Sequence, residues 1–355
     1  MGFRILVVNP GSTSTKVALF DDERPLFSKA IAHSQECLSR FGSISEQMEW
    51  RRDLVLEALA EHGYGLHDLS AVAGRGGLTK PIEGGVYEVN DAMVAALHNP
   101  WMQHACNLGG LIARDIAGRA GVGAYVADPG VVDEMDEVVH MTGLPQIRRI
   151  SIFHALNQRA VARYHAALCG RRYEDMNLIV VHMGGGISVG AHSGGRVVDN
   201  NNALNGDGPF AADRAGSLPT IQLAELCFSG KYTFREVSNL LAGDGGLKAH
   251  LGTNSVLEVL QRIEAGDEHA RTVIEAMCYN IGKQVGAMAA ALAGRVDGIL
   301  LTGGAAHSEY ITDRIGRQCS FIAPVSVYAG EREMEALAEN VLSVLRNKVE
   351  PKVFA

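Results

Sequence analysis

The chain has 355 residues, a formal net charge of −8 and 47% hydrophobic residues. This length is more than a single hydrophobic core comfortably supports, so we expect two domains. The acidic balance and the lack of a basic run argue against a surface for nucleic acid or an anionic membrane. The apolar run before Asn9 is too short for a signal peptide, and no stretch approaches the roughly 20 apolar residues of a membrane span. We therefore expect a soluble protein.

The cysteines are scattered along the chain without any Cys-x-x-Cys pair. They are Cys37, Cys106, Cys169, Cys227, Cys278 and Cys319. This pattern favours reduced, mostly buried thiols over disulfides or a zinc site. It therefore predicts a cytoplasmic protein.

The first strand pattern surrounds a polar turn. Residues 3–8 form an apolar run, residues 9–15 form a turn rich in hydroxyl groups, and residues 16–20 resume the strand pattern. A further strand is predicted for residues 25–31. The chain is therefore predicted to begin with a meander of three strands.

A helix is predicted for residues 45–62, ending before Gly63. A short strand at residues 71–73 then leads into Gly74-Arg75-Gly76-Gly77. An arginine flanked by glycines at a strand end is well placed to meet an anion. From these residues alone, a solvated arginine in a turn is an equally good interpretation.

Helices at residues 91–98 and 104–120 and a strand at 122–127 are predicted next. Asp128 ends this strand and precedes Pro129. A carboxylate in this place either presents an acid to a cleft or caps the following segment, and the residues leave both alternatives open.

Ser151 is predicted to cap a helix that runs to about residue 168. Phe153 and His154 would then lie in the first turn of that helix. A histidine there could serve a ligand or sit in a domain interface, and the residues alone do not decide between the two.

A second strand pattern interrupted by a turn begins in the middle of the chain. Residues 178–181 read as a buried strand, residues 184–186 are consecutive glycines, and further strands are predicted from residue 187 and for residues 196–199. Glycines let main-chain N–H groups approach phosphate oxygens, although a plain hairpin is the simpler alternative. Because the same pattern opens the chain, we predict a duplication.

The rest of the chain is predicted to be mostly helical. Helices are expected at residues 220–228, 233–241, 255–263, 268–292 and 331–346, with Thr233 and Glu236 forming a capping box. Strands are expected at residues 296–301 and 321–327, with a small-residue turn at residues 302–306 and a helix from about residue 308.

Several short motifs, spread in order over nearly the whole chain, resemble the acetate and butyrate kinase family. They are Asn9-Pro10-Gly11-Ser12-Thr13-Ser14-Thr15-Lys16, Gly74-Arg75-Gly76-Gly77-Leu78, His104-Ala105-Cys106-Asn107-Leu108-Gly109, Phe153-His154, His182-Met183-Gly184-Gly185-Gly186, Asn201-Asn202-Ala203-Leu204, Asp213-Arg214-Ala215-Gly216 and Gly245-Gly246-Leu247. The turn after residue 301 is similar to the adenosine turn of the wider superfamily of sugar kinases, Hsp70 and actin.

The resemblance implies an α/β fold of two duplicated ribonuclease-H-like domains with a cleft between them. The expected domains are residues 1–150 plus about 331–355, and residues 151–330, the latter binding the nucleotide. The implied reaction is reversible, in-line transfer of a phosphoryl group from ATP to a short-chain fatty acid such as butyrate, giving an acyl phosphate and ADP.

The resemblance also implies roles for individual residues. Arg75, Asp128, His154 and Arg214 would be catalytic. The nucleotide would meet Asn9, Ser12, Ser14, Lys16, His182, Gly184, Gly185, Gly186, Gly303, Gly304 and Ala305. The acid would meet Arg75, Gly77, His104 and Phe153. Mg²⁺ would be held, partly through water, by Asn9, Asp128, and Glu331 or Glu333.

Departures from the acetate kinase pattern leave some of these assignments open. The first turn has Pro10 and the second has Gly185 where acetate kinases carry alanine and asparagine, and both match the butyrate kinase branch. In a different register of the match to the acetate kinases, Arg75 would no longer correspond to the arginine that binds the acid. His98 and His104 are alternative matches for a single histidine of the acetate kinases. If Arg75 is correct, the bare Gly76 and Gly77 are expected to leave room for a longer acid than acetate.

Other functions remain as alternatives. The same resemblance allows a kinase for acetate, propionate or branched acids. A nucleotide-operated binding protein of the Hsp70 or actin kind is the alternative from a different class. We expect a homo-oligomer that binds a small acid and neither nucleic acid nor membrane.

Overall fold

The protein is described here by a computed structural model covering residues 2–355. The chain divides into two compact units. The first unit comprises the chain up to Val132 together with Arg332–Ala355, and the second comprises Asp133–Glu331. No helix in residues 2–355 is long and apolar enough to cross a membrane.

The strands are short and fall into two sheets. They are β1 (Arg4–Pro10), β2 (Ser14–Asp21), β3 (Arg24–Ala32), β4 (Ala71–Arg75), β5 (Val86–Glu88), β6 (Gly123–Ala127), β7 (Leu178–Met183), β8 (Ile187–Ser193), β9 (Arg196–Asn200), β10 (Gly298–Gly303) and β11 (Val325–Ala329).

The helices vary from one turn to more than six turns. They are α1 (Gln35–Leu38), α2 (Met48–Glu61), α3 (Asp91–His98), α4 (Asn107–Ala120), α5 (Glu137–His140), α6 (Ala155–Leu168), α7 (Thr220–Cys227), α8 (Phe234–Leu241), α9 (Gly246–Leu251), α10 (Val256–Glu264), α11 (Glu268–Ala291), α12 (Glu309–Cys319) and α13 (Glu333–Leu345). Short 3₁₀ helices lie at Ser45–Gln47, Leu66–Asp68, Tyr173–Asp175 and Gly304–His307.

The sheet of the first unit has the strand order β3-β2-β1-β4-β6-β5. The first three strands form the predicted antiparallel meander, whereas β4 and β6 run parallel to β1. Helix α4 packs on β4 and β6, and the C-terminal helix α13 packs on β1 and β4. Because β1 is buried on both faces, its central residues 5–8 form a continuous apolar run rather than an alternating pattern.

The sheet of the second unit has the order β11-β10-β7-β8-β9. Strands β7, β8 and β9 repeat the antiparallel meander, and β10 and β11 are parallel to β7. Each meander also has a register irregularity between its second and third strands, at Leu19/Phe20 and at Ala191/His192. The duplication predicted from the two turns is therefore confirmed.

Two local predictions are wrong. Ser151 does not cap α6, because its hydroxyl accepts a hydrogen bond from Asn200 and the helix begins at Ala155, after His154. Phe153 and His154 therefore precede the helix instead of lying in its first turn. The last strand begins at Val325, and Phe321 lies outside it with 84% of its surface exposed.

Candidate active site

The polar turn of the first unit is the tight connection between β1 and β2. The backbone N–H of Gly11 donates to the carbonyl of Ser14 over 2.8 Å, which closes the turn. Ser12 and Thr13 are exposed at its tip, and Lys16 is exposed on β2. The turn therefore presents hydroxyl groups to solvent.

Arg75 is held by two buried polar residues. Its Nη1 donates to Oε2 of Glu333 over 2.8 Å and to Oδ1 of Asn9 over 3.3 Å. Asn9 Nδ2 also donates to the same oxygen of Glu333, over 2.7 Å. Glu333 is only 4% exposed, whereas the Arg75 side chain is 32% exposed. This network brings together Asn9, Arg75 and Glu333, which lie far apart in the sequence.

The glycines after Arg75 do not create space. A Cβ atom on Gly76 would lie 2.5 Å from Cβ of Pro129, and one on Gly77 would lie 2.6 Å from Cδ2 of Leu97 and 2.7 Å from Cα of Asn107. Neighbouring residues already occupy the volume that a side chain would fill. The expectation that these glycines enlarge an acid pocket is therefore wrong, because they are needed for close packing.

Asp128 is fixed at the end of β6 in a strained conformation. Its φ angle is +40°, which is uncommon for a residue with a side chain, and the residue is 1% exposed. Its backbone N–H donates to the carbonyl of Gly85 over 3.0 Å, and its Oδ1 accepts from the N–H of Gly85 over 2.8 Å. Such strain, of about 1–3 kcal/mol, is typically retained at functional sites. The alternative role as a helix cap is not observed, since no helix begins at this position.

The two competing histidines differ in their surroundings. His98 is exposed at the end of α3. His104 is half-buried, and its Nδ1 lies 3.0 Å from Sγ of Cys106. Burial raises the pKa of the Cys106 thiol to about 11, while the nearby charge of Arg75 acts in the opposite direction. His104 therefore belongs to the same neighbourhood as Arg75.

The glycine turns of the second unit meet at one edge of its sheet. Strands β7 and β10 are parallel neighbours, so the turns that follow them are adjacent. Gly303 has a φ angle of +90°, and a Cβ there would lie 2.5 Å from the carbonyl oxygen of Met183. By contrast, Cβ atoms on Gly185 and Gly304 would have open space around them. The edge therefore offers bare backbone at both predicted nucleotide turns.

Arg214 lies against the first of these turns. A Cβ atom on Gly186 would overlap Nη1 of Arg214, and this Nη1 donates to the carbonyl of Ala203 over 3.1 Å. The side chain is 25% exposed, and burial lowers the pKa of its guanidinium. The Asn201–Leu204 and Asp213–Gly216 motifs are thus joined at the glycine turn.

His154 and His182 stack on each other with their ring centres 3.8 Å apart and their planes within 9°. Asn157 Nδ2 lies 2.9 Å from Nδ1 of His182 and also donates to Oγ1 of Thr302, so Nδ1 accepts the hydrogen bond. Oε1 of Glu331 lies 3.8 Å from Nε2 of His182. His182 is completely buried, which fits a role in orienting the turn that follows it.

A chain of buried hydrogen bonds ends at His154. Gln158 Nε2 donates to the carbonyl of Ser188 over 3.1 Å and to its Oγ over 2.8 Å, which fixes the amide orientation. Gln158 Oε1 lies 3.0 Å from Nε2 of His192, whose Nδ1 lies 2.8 Å from the hydroxyl of Tyr173. The Ser188 hydroxyl is then left to donate to Nδ1 of His154 over 2.9 Å. A neutral His154 therefore carries its proton on Nε2.

The sequence did not single out several residues that support these side chains. Asn157 and Gln158 lie inside a predicted helix, and Ser188 lies inside a predicted strand. For Ser188, the available signal was a polar residue between the apolar Ile187 and Val189, whereas Asn157 and Gln158 lie in a polar run with Arg159 and carried no such signal. Arg51 was also missed, because an arginine in a helix normally reads as a solvated residue.

Comparisons with known proteins identify the family to which the chain is similar. A model of the acetokinase family matches residues 140–320. A protein from Phocaeicola vulgatus named "Probable butyrate kinase" is 52% identical over 351 residues, which cover 99% of both chains.

Solved structures confirm the predicted duplicated fold. Acetate kinase from Porphyromonas gingivalis matches with a TM-score of 0.77 and 20% identity, over 97% of this chain and 100% of that one. A propionate kinase from Francisella tularensis matches with a TM-score of 0.71 and 19% identity, over 95% of this chain and 98% of that one. With the 52% identical relative covering almost its whole length, the chain belongs to the acetokinase family.

Proposed function

We propose that the protein transfers the γ-phosphoryl group of ATP to the carboxylate of a short-chain fatty acid, with butyrate as the characteristic substrate. The reaction forms an acyl phosphate and ADP and is reversible. The observation that carries the proposal is the 52% identity to a "Probable butyrate kinase" over almost the whole of both chains. The polar clusters at the turns of both units are consistent with it. An Hsp70-like or actin-like binding function is not favoured.

The chemistry of this reaction requires positive charge more than it requires a base. A fatty acid has a pKa near that of glutamate, roughly 4.3, so it is already ionised at neutral pH. Two unit negative charges about 4 Å apart repel each other by roughly 4 kcal/mol at an effective dielectric of about 20. Cations and hydrogen-bond donors around the transferring group therefore determine the rate.

In the proposal, Arg75 binds the carboxylate of the acid, with His104 and Phe153 as further contacts. Arg75 is partly exposed and is fixed by Glu333 and Asn9, so its orientation is set before the acid arrives. A planar guanidinium suits two carboxylate oxygens better than an ammonium group does.

Arg214 and His154 are proposed to stabilise the equatorial oxygens of the phosphoryl group in transit. The close contact of Arg214 with the backbone of Gly186 restricts the guanidinium to one region. The hydrogen bond from Ser188 to Nδ1 of His154 makes Nε2 the donor that remains for a phosphoryl oxygen. Such fixed donors lose little free energy to reorganisation as charge develops.

The nucleotide is proposed to contact both kinds of turn. Its phosphates would meet the hydroxyl-rich turn and the Gly184–Gly186 turn, with His182 orienting the latter. The residues proposed for these contacts are Asn9, Ser12, Ser14, Lys16, Gly184, Gly185 and Gly186. Gly303, Gly304 and Ala305 would lie under the adenosine.

Mg²⁺ is part of the proposal, and the donor set fits its chemistry. Residues 2–355 contain no group of three His, Cys, Asp or Glu side chains arranged to hold a metal ion. Mg²⁺ normally keeps several waters and binds one or two carboxylates together with substrate phosphates, so it needs no such cage. Asp128, and Glu333 or Glu331, would hold it, while Asn9 already bonds both Glu333 and Arg75. The ion would neutralise charge on the ATP phosphates.

Trapping of acyl phosphate with hydroxylamine tests the proposal. Purified protein with ATP, Mg²⁺ and butyrate is expected to form butyryl hydroxamate in proportion to the protein added. Controls without butyrate or without ATP should form none. If nucleotide binds but no hydroxamate forms with any short-chain acid, the protein is not a carboxylate kinase.

A further inference from the structure

Arg51 is the largest side chain that residues 2–355 bury completely, with 1% of its surface exposed. It lies on α2 and points under the connection between β1 and β2, where it contacts residues of the polar turn. The proposed reaction gives it no role. A charged side chain in such a position is costly to bury, so its contacts indicate what it does.

Every hydrogen bond from Arg51 goes to an uncharged acceptor. Nη1 donates to the carbonyl of Gly11 over 2.8 Å, to the carbonyl of Ser14 over 3.2 Å and to Oγ1 of Thr15 over 3.1 Å. Nε and Nη2 donate to Oε1 of Gln47 over 3.1 and 2.8 Å. Each nitrogen of the guanidinium thus has an acceptor, and three of the acceptors belong to the turn itself.

The charge of Arg51 has no carboxylate partner among residues 2–355. Arg159, another buried arginine, shows the usual arrangement, since its Nη1 pairs with Oε2 of Glu134 over 2.8 Å. Burial lowers the pKa of Arg51 to about 10, so the guanidinium stays charged at neutral pH. Neutral acceptors satisfy its N–H groups without cancelling its net charge, and its positive potential therefore reaches the turn.

The charge of Arg51 also affects the far side of the turn, through the peptide unit between Gly11 and Ser12. The carbonyl of Gly11 and the N–H of Ser12 belong to one planar trans peptide unit and point in opposite directions. Because this carbonyl points at Arg51, the N–H of Ser12 points away from it. A cation on the carbonyl polarises the peptide unit and strengthens the N–H as a donor. The outer side of the turn is thus prepared for an anion.

We propose that Arg51 is a positioning residue for the nucleotide phosphates, fixing the Gly11–Thr15 turn and supplying buried positive charge behind it without touching the nucleotide. The inference rests on the proposed function, because it takes the phosphates of ATP as the anion. It also explains why the protein keeps a buried cation whose acceptors are all neutral.

The test compares nucleotides that differ only in phosphate number. Arg51→Met removes the charge while keeping a long side chain, and the affinities for ATP, ADP, AMP and adenosine are measured by calorimetry or competition at fixed salt. We expect ATP affinity to fall on the order of tenfold or more, with smaller losses for ADP and AMP and almost none for adenosine. Arg51→Lys should recover part of the loss. Equal losses for all four ligands, or no loss, would overturn the inference.

Gln47→Glu tests the same idea even if Arg51→Met folds poorly. This change is isosteric, keeps the acceptor for Arg51 and places a carboxylate against the guanidinium, so it neutralises the charge while keeping the hydrogen bonds. We expect an unchanged or higher Tm. The loss of affinity should again be largest for ATP and almost absent for adenosine. A stable Gln47→Glu protein with wild-type ATP affinity would refute a role for the charge.

Arg52→Met is the matched control. Arg52 neighbours Arg51 on α2, but its charge is already met by Asp53 at 2.8 Å and Asp115 at 3.6 Å. The control removes the same formal charge and should leave nucleotide affinity unchanged. If Arg52→Met shows an equal loss of affinity that increases with the number of phosphates, the specific role of Arg51 is refuted. If wild-type protein binds no ATP, the proposed function fails and the inference fails with it. If wild-type protein binds ATP and only the graded loss is missing, the inference alone fails.

Discussion

Arg214 occupies the space that a side chain on Gly186 would need. A Cβ on Gly186 would overlap Nη1 of the arginine and lie 2.5 Å from the carbonyl oxygen of Ala203, which accepts a hydrogen bond from the same Nη1. The glycine therefore serves a purpose beyond exposing backbone to a phosphate. It lets a guanidinium lie against the turn.

Gly186→Ala should therefore displace Arg214. We expect kcat to fall on the order of 100-fold or more, because a donor to transition-state charge is moved. Gly185→Ala is the stability control, since its Cβ would have open space, and its Tm should equal that of wild type. Steady-state kinetics and calorimetric melting make the comparison. A Gly186→Ala protein with wild-type kcat would remove Arg214 from the proposed mechanism.

Ser188→Ala should impair turnover through His154. The change removes the hydroxyl that bonds Nδ1 of His154, so the ring loses the contact that fixes its tautomer. We expect kcat to fall on the order of 10-fold to 100-fold with little change in KM for either substrate. The decisive comparison is with His154→Ala, in which adding Ser188→Ala should cost almost nothing further. Additive losses would show that Ser188 acts independently of His154.

The sequence predicted the elements that depend on local patterns. Both meanders, the turn at Gly184–Gly186 and the capping box of Thr233 and Glu236 are confirmed, because strand alternation, glycine and capping chemistry are encoded within a few residues. The Ser151 cap is wrong because a distant partner, Asn200, engages the hydroxyl. A local pattern contains no information about such a contact.

Supporting contacts over long sequence distances escaped prediction for the same reason. Glu333 lies more than 250 residues from Arg75 in the chain, yet the two form an ion pair. The resemblance to a family nominated both residues, but only folding shows that Glu333 holds the arginine. The packing of Gly77 against Leu97 and Asn107 likewise depends on tertiary structure, and it overturns the expected pocket.

Gly77→Ala is expected to affect stability and not the choice of acid. Its Cβ would lie 2.6–2.7 Å from Leu97 and Asn107, so overpacking should destabilise the fold by about 1–3 kcal/mol. Gly118→Ala in α4 has no atom within 4 Å of its Cβ and should raise stability slightly. Urea unfolding and kcat/KM for acetate and butyrate are measured for both variants. A stable Gly77→Ala protein that has switched to acetate would restore the pocket hypothesis.

The stability of the protein should fall as the pH drops below about 6.5. Burial, together with nearby arginines, lowers the pKa of His192 to about 3, and an unfolded histidine titrates near 6.5. Between these values the unfolded chain binds the additional proton, so the stabilisation is complete above pH 6.5 and is lost towards pH 3. One such site contributes at most about 1.4 kcal/mol per pH unit.

His192→Gln provides the comparison. The variant should be less stable than wild type at pH 7, because Tyr173 and Gln158 lose their shared partner. Its unfolding free energy should nevertheless decline less steeply between pH 6.5 and 4, since the titrating group is gone. Chemical unfolding at several pH values gives both slopes. Equal slopes for the two proteins would mean that His192 does not control the acid sensitivity.

The most direct measurement is a series of kcat/KM values for straight-chain acids from acetate to hexanoate, at saturating ATP and Mg²⁺, with the acyl phosphate trapped by hydroxylamine. We predict turnover with a maximum at butyrate, the characteristic substrate of the proposed function. A maximum at acetate would contradict the assignment of butyrate while leaving a carboxylate kinase. No acyl phosphate from any acid, despite ATP binding, would contradict the proposed function itself.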